Sequence, residues 1–174
     1  MTQEKVYPLY QAENVKAIEL PYDGNELSMV VLVPAAGEFT AFESSLTAGK
    51  LDTILDGTTG TNTWLTMPKF EYTAKLSLAE TLATMGMPVA FSASANLSGM
   101  DGTRNLQITD VFHKAFVAVD EAGTEAAAAT AVVVGETSVP PNPVELTIDR
   151  PVIFLIRDNL TGTILFLGRV TNMQ

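Results

Sequence analysis

The chain contains one histidine, His113. Any Ser-His-Asp triad would therefore have to use that residue as its base. The sequence has no Gly-x-Ser-x-Gly turn that would present a nucleophilic serine, and the residues on either side of His113 are typical of a strand. We therefore predict that His113 is a buried or half-buried structural residue and that the chain is not an enzyme.

Other candidate sites for chemistry are weak. The glycine- and threonine-rich segment 57–62 resembles a phosphate-binding loop, but no Lys-Ser or Lys-Thr pair follows it, and we predict a surface turn. Cysteine is absent, which excludes disulfides and thiolate ligands, and no Asp-x-Asp-x-Asp-Gly spacing occurs. We expect no metal site and no cofactor. Two glycosylation sequons, at Asn96 and Asn159, are interpreted as chance occurrences.

Composition indicates an ordered, acidic protein. The chain has 174 residues, of which 47% are hydrophobic and 17% charged, enough for one domain with a sizeable core. Its net charge of -10 argues against nucleic acid and anionic membranes as partners. No apolar run is long enough for a membrane-spanning helix.

Apolar periodicity predicts the order of the elements. Two apolar stretches in 15–34 flank a four-residue loop and predict a β-hairpin, whose second strand is buried on both faces. Two short helices are predicted in 35–56. We further predict a strand at 63–72, an amphipathic helix from Leu76 that stops near Gly86 and has a buried leucine and methionine stripe, and a loop at 91–104. A strand at 106–119, an exposed proline-rich loop at 135–143, and strands at 144–148, 151–157 and 162–170 follow.

An alanine-rich tract at 121–131 admits two conformations. By propensity the alanines favour a helix, with Thr124 as its N-cap. A helix from Glu125 to Ala131 would span only seven residues, well below the roughly 12 to 15 that are marginal in isolation. The β-branched residues 132–134 favour a strand, in which Thr124 and every second residue after it would form one small, uncharged face.

At this tract the chain resembles the serpin family. The segment 119–130 is similar to the hinge of the reactive-centre loop of inhibitory serpins. Further motifs resemble the same family in the same order: Leu20-Pro21-Tyr22, Leu27-Ser28-Met29, 65–70, 82–91, 95–99, His113-Lys114-Ala115 and Asp149-Arg150-Pro151. One departure is Val152, where the family's C-terminal signature usually has phenylalanine.

The resemblance implies an α+β, serpin-like, multi-sheet fold, strand-rich and with a few helices. It implies that residues 1–174 are the C-terminal part of a single serpin domain whose helical N-terminal half is absent and would be a partner of this chain. Residues 121–143 would be the hinge and reactive-centre loop. The implied hinge residues are Glu121, Gly123, Thr124, Glu125, Ala126, Ala127, Ala128, Ala129 and Thr130. His113 would lie where the large sheet opens. Localisation is unknown, and only the resemblance favours secretion.

The resemblance also implies a function as a suicide substrate. A serine protease would attack the loop, become attached as an acyl-enzyme, and be trapped when the cut loop inserts into the large sheet. The family's counting from Glu121 places the reactive bond between Thr137 and Ser138, with the bonds after Val134 and after Glu136 as alternatives. A small Thr suits elastase-like or subtilisin-like proteases, and a cysteine protease is the less favoured target.

Two other functions remain open from the sequence. The chain could belong to a non-inhibitory serpin-like binding protein, although a non-inserting loop has no need of small hinge residues. It could also be an inactive serpin fragment that associates with its missing half or with itself.

Overall fold

The computed structural model describes residues 1–120 and 142–172. The described residues form two compact units, one comprising Met1–Phe70 with Val119–Gln174 and the other Glu71–Ala118. The described part of the chain contains four α-helices: α1 (Phe39–Ser45), α2 (Ala48–Asp56), α3 (Ala79–Thr84) and α4 (Ser98–Asp101). It contains nine strands: β1 (Thr2–Gln11), β2 (Val15–Pro21), β3 (Leu27–Pro34), β4 (Thr59–Thr66), β5 (Phe70–Ser77), β6 (Phe112–Val119), β7 (Val144–Thr147), β8 (Val152–Asp158) and β9 (Ile164–Val170).

Seven strands of the first unit form one sheet in the order β7-β4-β1-β2-β3-β8-β9. β7 runs parallel to β4, and every other neighbouring pair in this sheet is antiparallel. β5 and β6 pair with each other in a separate sheet of two strands. This combination of sheets with a few helices confirms the predicted α+β fold class.

The predicted hairpin is formed by β2 and β3, which pair along their whole length. A 3-10 turn at Asp23–Asn25 connects them, with Gly24 at φ +81° and Asn25 at φ +56°. Glycine and asparagine tolerate this left-handed backbone better than other residues, which explains why the chain reverses here.

The core of the first unit lies against the middle of the sheet. Every residue of β3 from Ser28 to Pro34 is buried, as its continuous apolar pattern predicts. Each large apolar side chain buried here contributes about 1.5–3 kcal/mol. The cluster between this sheet and the two helices α1 and α2 consists of Val15, Ala17, Val30, Leu32, Phe42, Leu51, Ile54, Ile153 and Leu155.

The two short helices confirm the prediction for 35–56. α2 begins at a threonine cap, where Thr47 Oγ1 accepts a hydrogen bond of 3.3 Å from the backbone N–H of Lys50. It ends before Gly57, where a Cβ atom would lie 2.9 Å from the ring of Tyr10. The turn after α2 therefore requires glycine.

The prediction of one strand at 63–72 is wrong, because two strands share this segment. β4 already begins at Thr59 and ends at Thr66, and β5 begins at Phe70. Pro68, between them, has no backbone N–H for a ladder. The surface turn predicted for 57–62 is correspondingly confined to the two residues before β4, since 59–62 pair with β1.

The second unit is more irregular than predicted. α3 covers only part of 76–86, and β6 begins at Phe112 rather than at 106. The segment 91–104 is mostly loop, as predicted, but it also contains α4. The leucine and methionine stripe was predicted to be core, and this is wrong for Leu76, Met85 and Met87, which are exposed. The described residues of this unit do not cover them.

The predicted C-terminal strands are confirmed. β8 and β9 pair as a hairpin, and β8 is buried from Val152 to Leu155. In contrast, β9 is the last strand of the sheet, and Ile164, Leu165, Phe166 and Leu167 are all exposed. Four consecutive apolar residues on an edge strand form a surface that favours association with another chain.

We therefore predict that the 174-residue chain self-associates through β9. Replacing Leu165 and Leu167, which are 50% and 63% exposed, with glutamate should weaken this association. Two leucines at roughly 1.5 kcal/mol each correspond to about a hundredfold higher dissociation constant. Gel filtration with mass measurement tests this.

The control is Leu160→Glu, in the turn between β8 and β9, which introduces the same side chain, with one added charge against two in the β9 variant, at a residue that is 93% exposed. It should leave the association unchanged. An equal effect of both changes would show that net charge, not the β9 surface, controls the assembly.

Candidate functional site

The residues predicted to do the chemistry are mostly outside the described part of the chain. This applies to the whole predicted hinge, from Glu121 to Thr130, and to the predicted reactive bond between Thr137 and Ser138. Their roles stay predictions. The structure does describe the strand before this segment, β6, and the strand after it, β7. These two supports belong to different sheets.

β6, the strand before the segment, is held in place at both of its ends. At its start, Ser77 Oγ lies 2.8 Å from both carboxylate oxygens of Asp110, and the N–H of Leu78 donates to the carbonyl of Val111. At its end, Val117 and Val119 are buried. The chain therefore enters the segment at Asp120 from a strand whose last residues are held in place.

The prediction that His113 is buried or half-buried is wrong, because its side chain is exposed. His113, Ala115, Val117 and Val119 lie on the same face of β6, since side chains alternate along a strand. Burial increases along this face, from exposed at His113 through intermediate at Ala115 to buried at the two valines. His113 lies at the end of the strand that the described residues leave uncovered. Its predicted place where a sheet opens stays a prediction.

The support after the segment is the parallel pair of β7 and β4. Val144, Glu145, Leu146 and Thr147 lie opposite residues 63–66 of β4. Leu146 is buried, and the N–H of Ile148 donates a hydrogen bond of 2.8 Å to the carbonyl of Thr66. This pairing fixes the position at which the chain returns to the sheet.

The predicted motif Asp149-Arg150-Pro151 follows this strand directly. Arg150 Nε donates a hydrogen bond of 2.8 Å to Asp149 Oδ1, and this bond lowers the pKa of the Asp149 carboxyl. Val152, the departure from the serpin signature, is buried at the start of β8. The smaller side chain is thus a change within the core.

A polar network that the sequence analysis missed joins the ends of β2, β3 and β8. Arg157 Nε and Nη2 donate to Glu19 Oε1 at 3.2 and 3.0 Å. Ser28 Oγ lies 2.6 Å from the same oxygen and 2.7 Å from Asn159 Oδ1. Ser28 is fully buried and Glu19 nearly so. A carboxylate removed from water needs such partners.

The signal for this network was present in the sequence but ambiguous. Glu19 is an acidic residue inside the apolar stretch 15–22, and Ser28 interrupts the next one. The partner Arg157 is 138 residues away along the chain from Glu19. Local patterns cannot identify a partner at that separation.

The described residues contain no group of three or more histidine, aspartate and glutamate residues that could hold a metal ion. Among the same residues, no helix has the length and hydrophobicity needed to cross a membrane.

The chain matches known proteins along its whole length. The family model Serpin (serine protease inhibitor) matches residues 1–173. An uncharacterised serpin-like protein of Thermococcus kodakarensis is 41% identical over 175 residues, which cover 99% of this chain and 41% of that relative. Human Serpin B4 is 43% identical over 169 residues, which cover 95% of this chain and 43% of Serpin B4.

The fold is similar to solved structures as well. The crystal structure of mouse protein Z-dependent protease inhibitor superposes with a TM-score of 0.81 at 29% identity, covering 100% of this chain and 45% of that one. This confirms the predicted serpin-like fold. The chain therefore spans less than half the length of each of these proteins.

The polar network generates a stability prediction. Arg157→Met should lower the free energy of unfolding by about 3 kcal/mol, because it leaves the Glu19 carboxylate buried without its cation. Replacing both partners, as Glu19→Leu with Arg157→Met, should restore stability to within about 1 kcal/mol of the original. Urea unfolding at a concentration where the chain is monomeric measures these values.

The matched control is Arg169→Met. Arg169 Nη1 pairs with Glu43 Oε1 at 2.7 Å, but 61% of its side chain is exposed. An exposed ion pair contributes about 0–1 kcal/mol, so this variant should be close to the original protein. If Arg157→Met is no more destabilising than Arg169→Met, the argument that the buried Glu19–Arg157 pair contributes to stability is wrong.

Proposed function

The chain belongs to the serpin family, and we propose that it forms the C-terminal part of a serpin domain that inhibits a serine protease as a suicide substrate. The observation that carries this proposal is the pair of strands between which the segment 121–141 is connected. This segment joins the end of β6 to the start of β7, and these strands belong to different sheets. Because β6 and β7 each hold one end of the segment, a cut between them would create two new free ends, and the part that follows β6 would carry the hinge.

The hinge composition supports loop insertion after the cut. In an inserted strand, Thr124, Ala126, Ala128 and Thr130 would share one face. Small side chains can enter a closely packed sheet without large rearrangement, whereas a bulky or charged side chain on that face would have to be buried. The hinge therefore has the composition that insertion requires. No catalytic role is proposed for the chain.

We propose that the helical N-terminal half of the serpin domain covers two of the apolar surfaces that are exposed here. These are the apolar residues of β9 in the first unit and Leu76, Met85 and Met87 in the second. Burying such surfaces would supply favourable free energy for association. The alternatives, a non-inhibitory binding protein and an inactive fragment, differ in what happens after the protease cuts the loop.

The trapping mechanism is tested by Thr124→Arg in the complete protein. A new charge on the inserted face should prevent insertion, because burying an unpaired charge costs several kcal/mol. The original protein should give a detergent-stable band at the summed mass with an elastase-like or subtilisin-like protease on an SDS gel. The variant should be cut without forming that band.

Glu125→Arg is the matched control, because it introduces the same side chain at the neighbouring position, whose side chain would face the opposite way in an inserted strand. It should still form the covalent band. If Thr124→Arg forms an undiminished band, the assigned insertion face is wrong. If the original protein is cut cleanly with no band, the non-inhibitory or fragment alternatives are favoured.

The reactive bond is proposed to lie between Thr137 and Ser138. Mass spectrometry of the C-terminal fragment released by the protease should give a peptide that begins at Ser138. A fragment that begins at Gly135 or Thr137 would instead identify the bond after Val134 or Glu136. A fragment that begins outside 135–138 would contradict the counting from Glu121.

A further inference from the structure

The outer face of the seven-stranded sheet carries an exposed tryptophan between two carboxylates. Trp64, the one tryptophan of the chain, lies in β4 and is 46% exposed. The strand register places Glu4 of β1 opposite it on one side and Glu145 of β7 opposite it on the other. Both glutamates are exposed. Residues directly opposite in adjacent strands have Cβ atoms about 4.5–5.5 Å apart.

Alternation along the strands puts these three side chains on the side away from the core. The neighbours Thr63, Leu65 and Leu146 are buried on the inner face. The next outer row consists of Val6 and Asn62, which also lie opposite each other. Asn62 Nδ2 donates a hydrogen bond of 2.9 Å to Glu4 Oε1, which orients that carboxylate on this surface.

Among the described residues, the paired outer positions of β1, β4 and β7 carry acidic charge and no basic side chain. These positions are Thr2, Glu4, Val6, Asn62, Trp64, Thr66, Glu145 and Thr147. Beyond them, Lys16 and Arg150 line a cavity with Glu145, and Arg150 is paired with Asp149. Lys5 is adjacent in sequence but has its Nζ 5.9 Å from the ring centre of Tyr7, a residue buried on the inner face. The surface is therefore complementary to a cation.

We propose that Glu4, Trp64 and Glu145 bind an arginine or lysine side chain on the surface of the target protease. A guanidinium or ammonium group is attracted to the face of an indole ring and forms hydrogen bonds with carboxylates. The three residues offer both interactions in one row. This inference rests on the proposed function, since the partner is the protease that attacks the loop.

The position of the row fits such a contact. Glu145 follows Ser138 by seven residues. A chain extends at most about 3.6 Å per residue, so Glu145 lies within about 25 Å of the proposed reactive bond. Glu4, two strands away, lies at most about 10 Å further. A protease bound at that bond with a typical interface of about 800 Å² per partner extends over a comparable distance.

The experiment compares rates of reaction between the complete protein and neutrophil elastase, a strongly basic serine protease. Glu4→Gln with Glu145→Gln should lower the second-order rate constant about three- to tenfold at low salt and reduce its salt dependence. Trp64→Ala should lower the rate by about two- to fivefold, and Trp64→Phe, which keeps an aromatic face, should retain most of it.

The matched control is Asp52→Asn with Asp56→Asn, which removes the same charge from exposed residues of α2. This variant should react within about twofold of the original. The proposal is overturned if the row variants react as fast as the control, or if the control loses as much as they do. Thermal unfolding verifies that the variants are folded.

Two further measurements distinguish a failure of this inference from a failure of the proposed trapping mechanism. If elastase cuts the loop without being trapped, trapping fails, but kcat/KM for loop cleavage still reports the contact. If elastase neither cuts the loop nor is trapped by it, a hepta-arginine peptide is titrated while the Trp64 fluorescence is recorded. A hepta-glutamate peptide is the control. A saturable change with hepta-arginine that is lost in Glu4→Gln with Glu145→Gln supports the site, and no change rejects it.

Discussion

The first unit depends on burial of its central strands on both faces. Apolar residues follow one another without alternation in β3 and β8, so neither face of these strands can remain in contact with water. Helices α1 and α2 cover one face through Phe42, Leu51 and Ile54. On β8, Phe154 packs near Phe70 with ring centres 6.0 Å apart. The same apolar pattern in β9 lacks this cover among the described residues, which is why the edge of the sheet is a candidate interface.

A charged network is compatible with this core because its groups satisfy one another. Glu19, Arg157 and Ser28 come from three adjacent strands, and their contacts of 2.6–3.2 Å replace those that water would make. The network also fixes the alignment of strands that are otherwise apolar and thus poorly distinguished from one another. A register error by one residue would bury the Glu19 carboxylate without its cation.

The seven-stranded sheet also fixes the point at which the chain returns after the segment 121–141. The chain leaves the second unit's strand β6 and returns in β7, where parallel pairing with β4 sets its register. That register determines both the start of the C-terminal strands and the outer row of Glu4, Trp64 and Glu145. The proposed loop chemistry and the proposed protease contact therefore share one structural support.

Local patterns in the sequence were sufficient for the hairpin of β2 and β3, the helices α1 and α2, and the strands β8 and β9, because short-range periodicity and turn residues specify them. The family resemblance came from motifs that are contiguous in the chain. Tertiary structure decided the break at Pro68, the exposure of His113, the pairing of Glu19 with Arg157, and the placement of Glu145 beside Trp64. Each of these depends on which distant segments cover or pair with a residue, and periodicity within one segment does not contain that information.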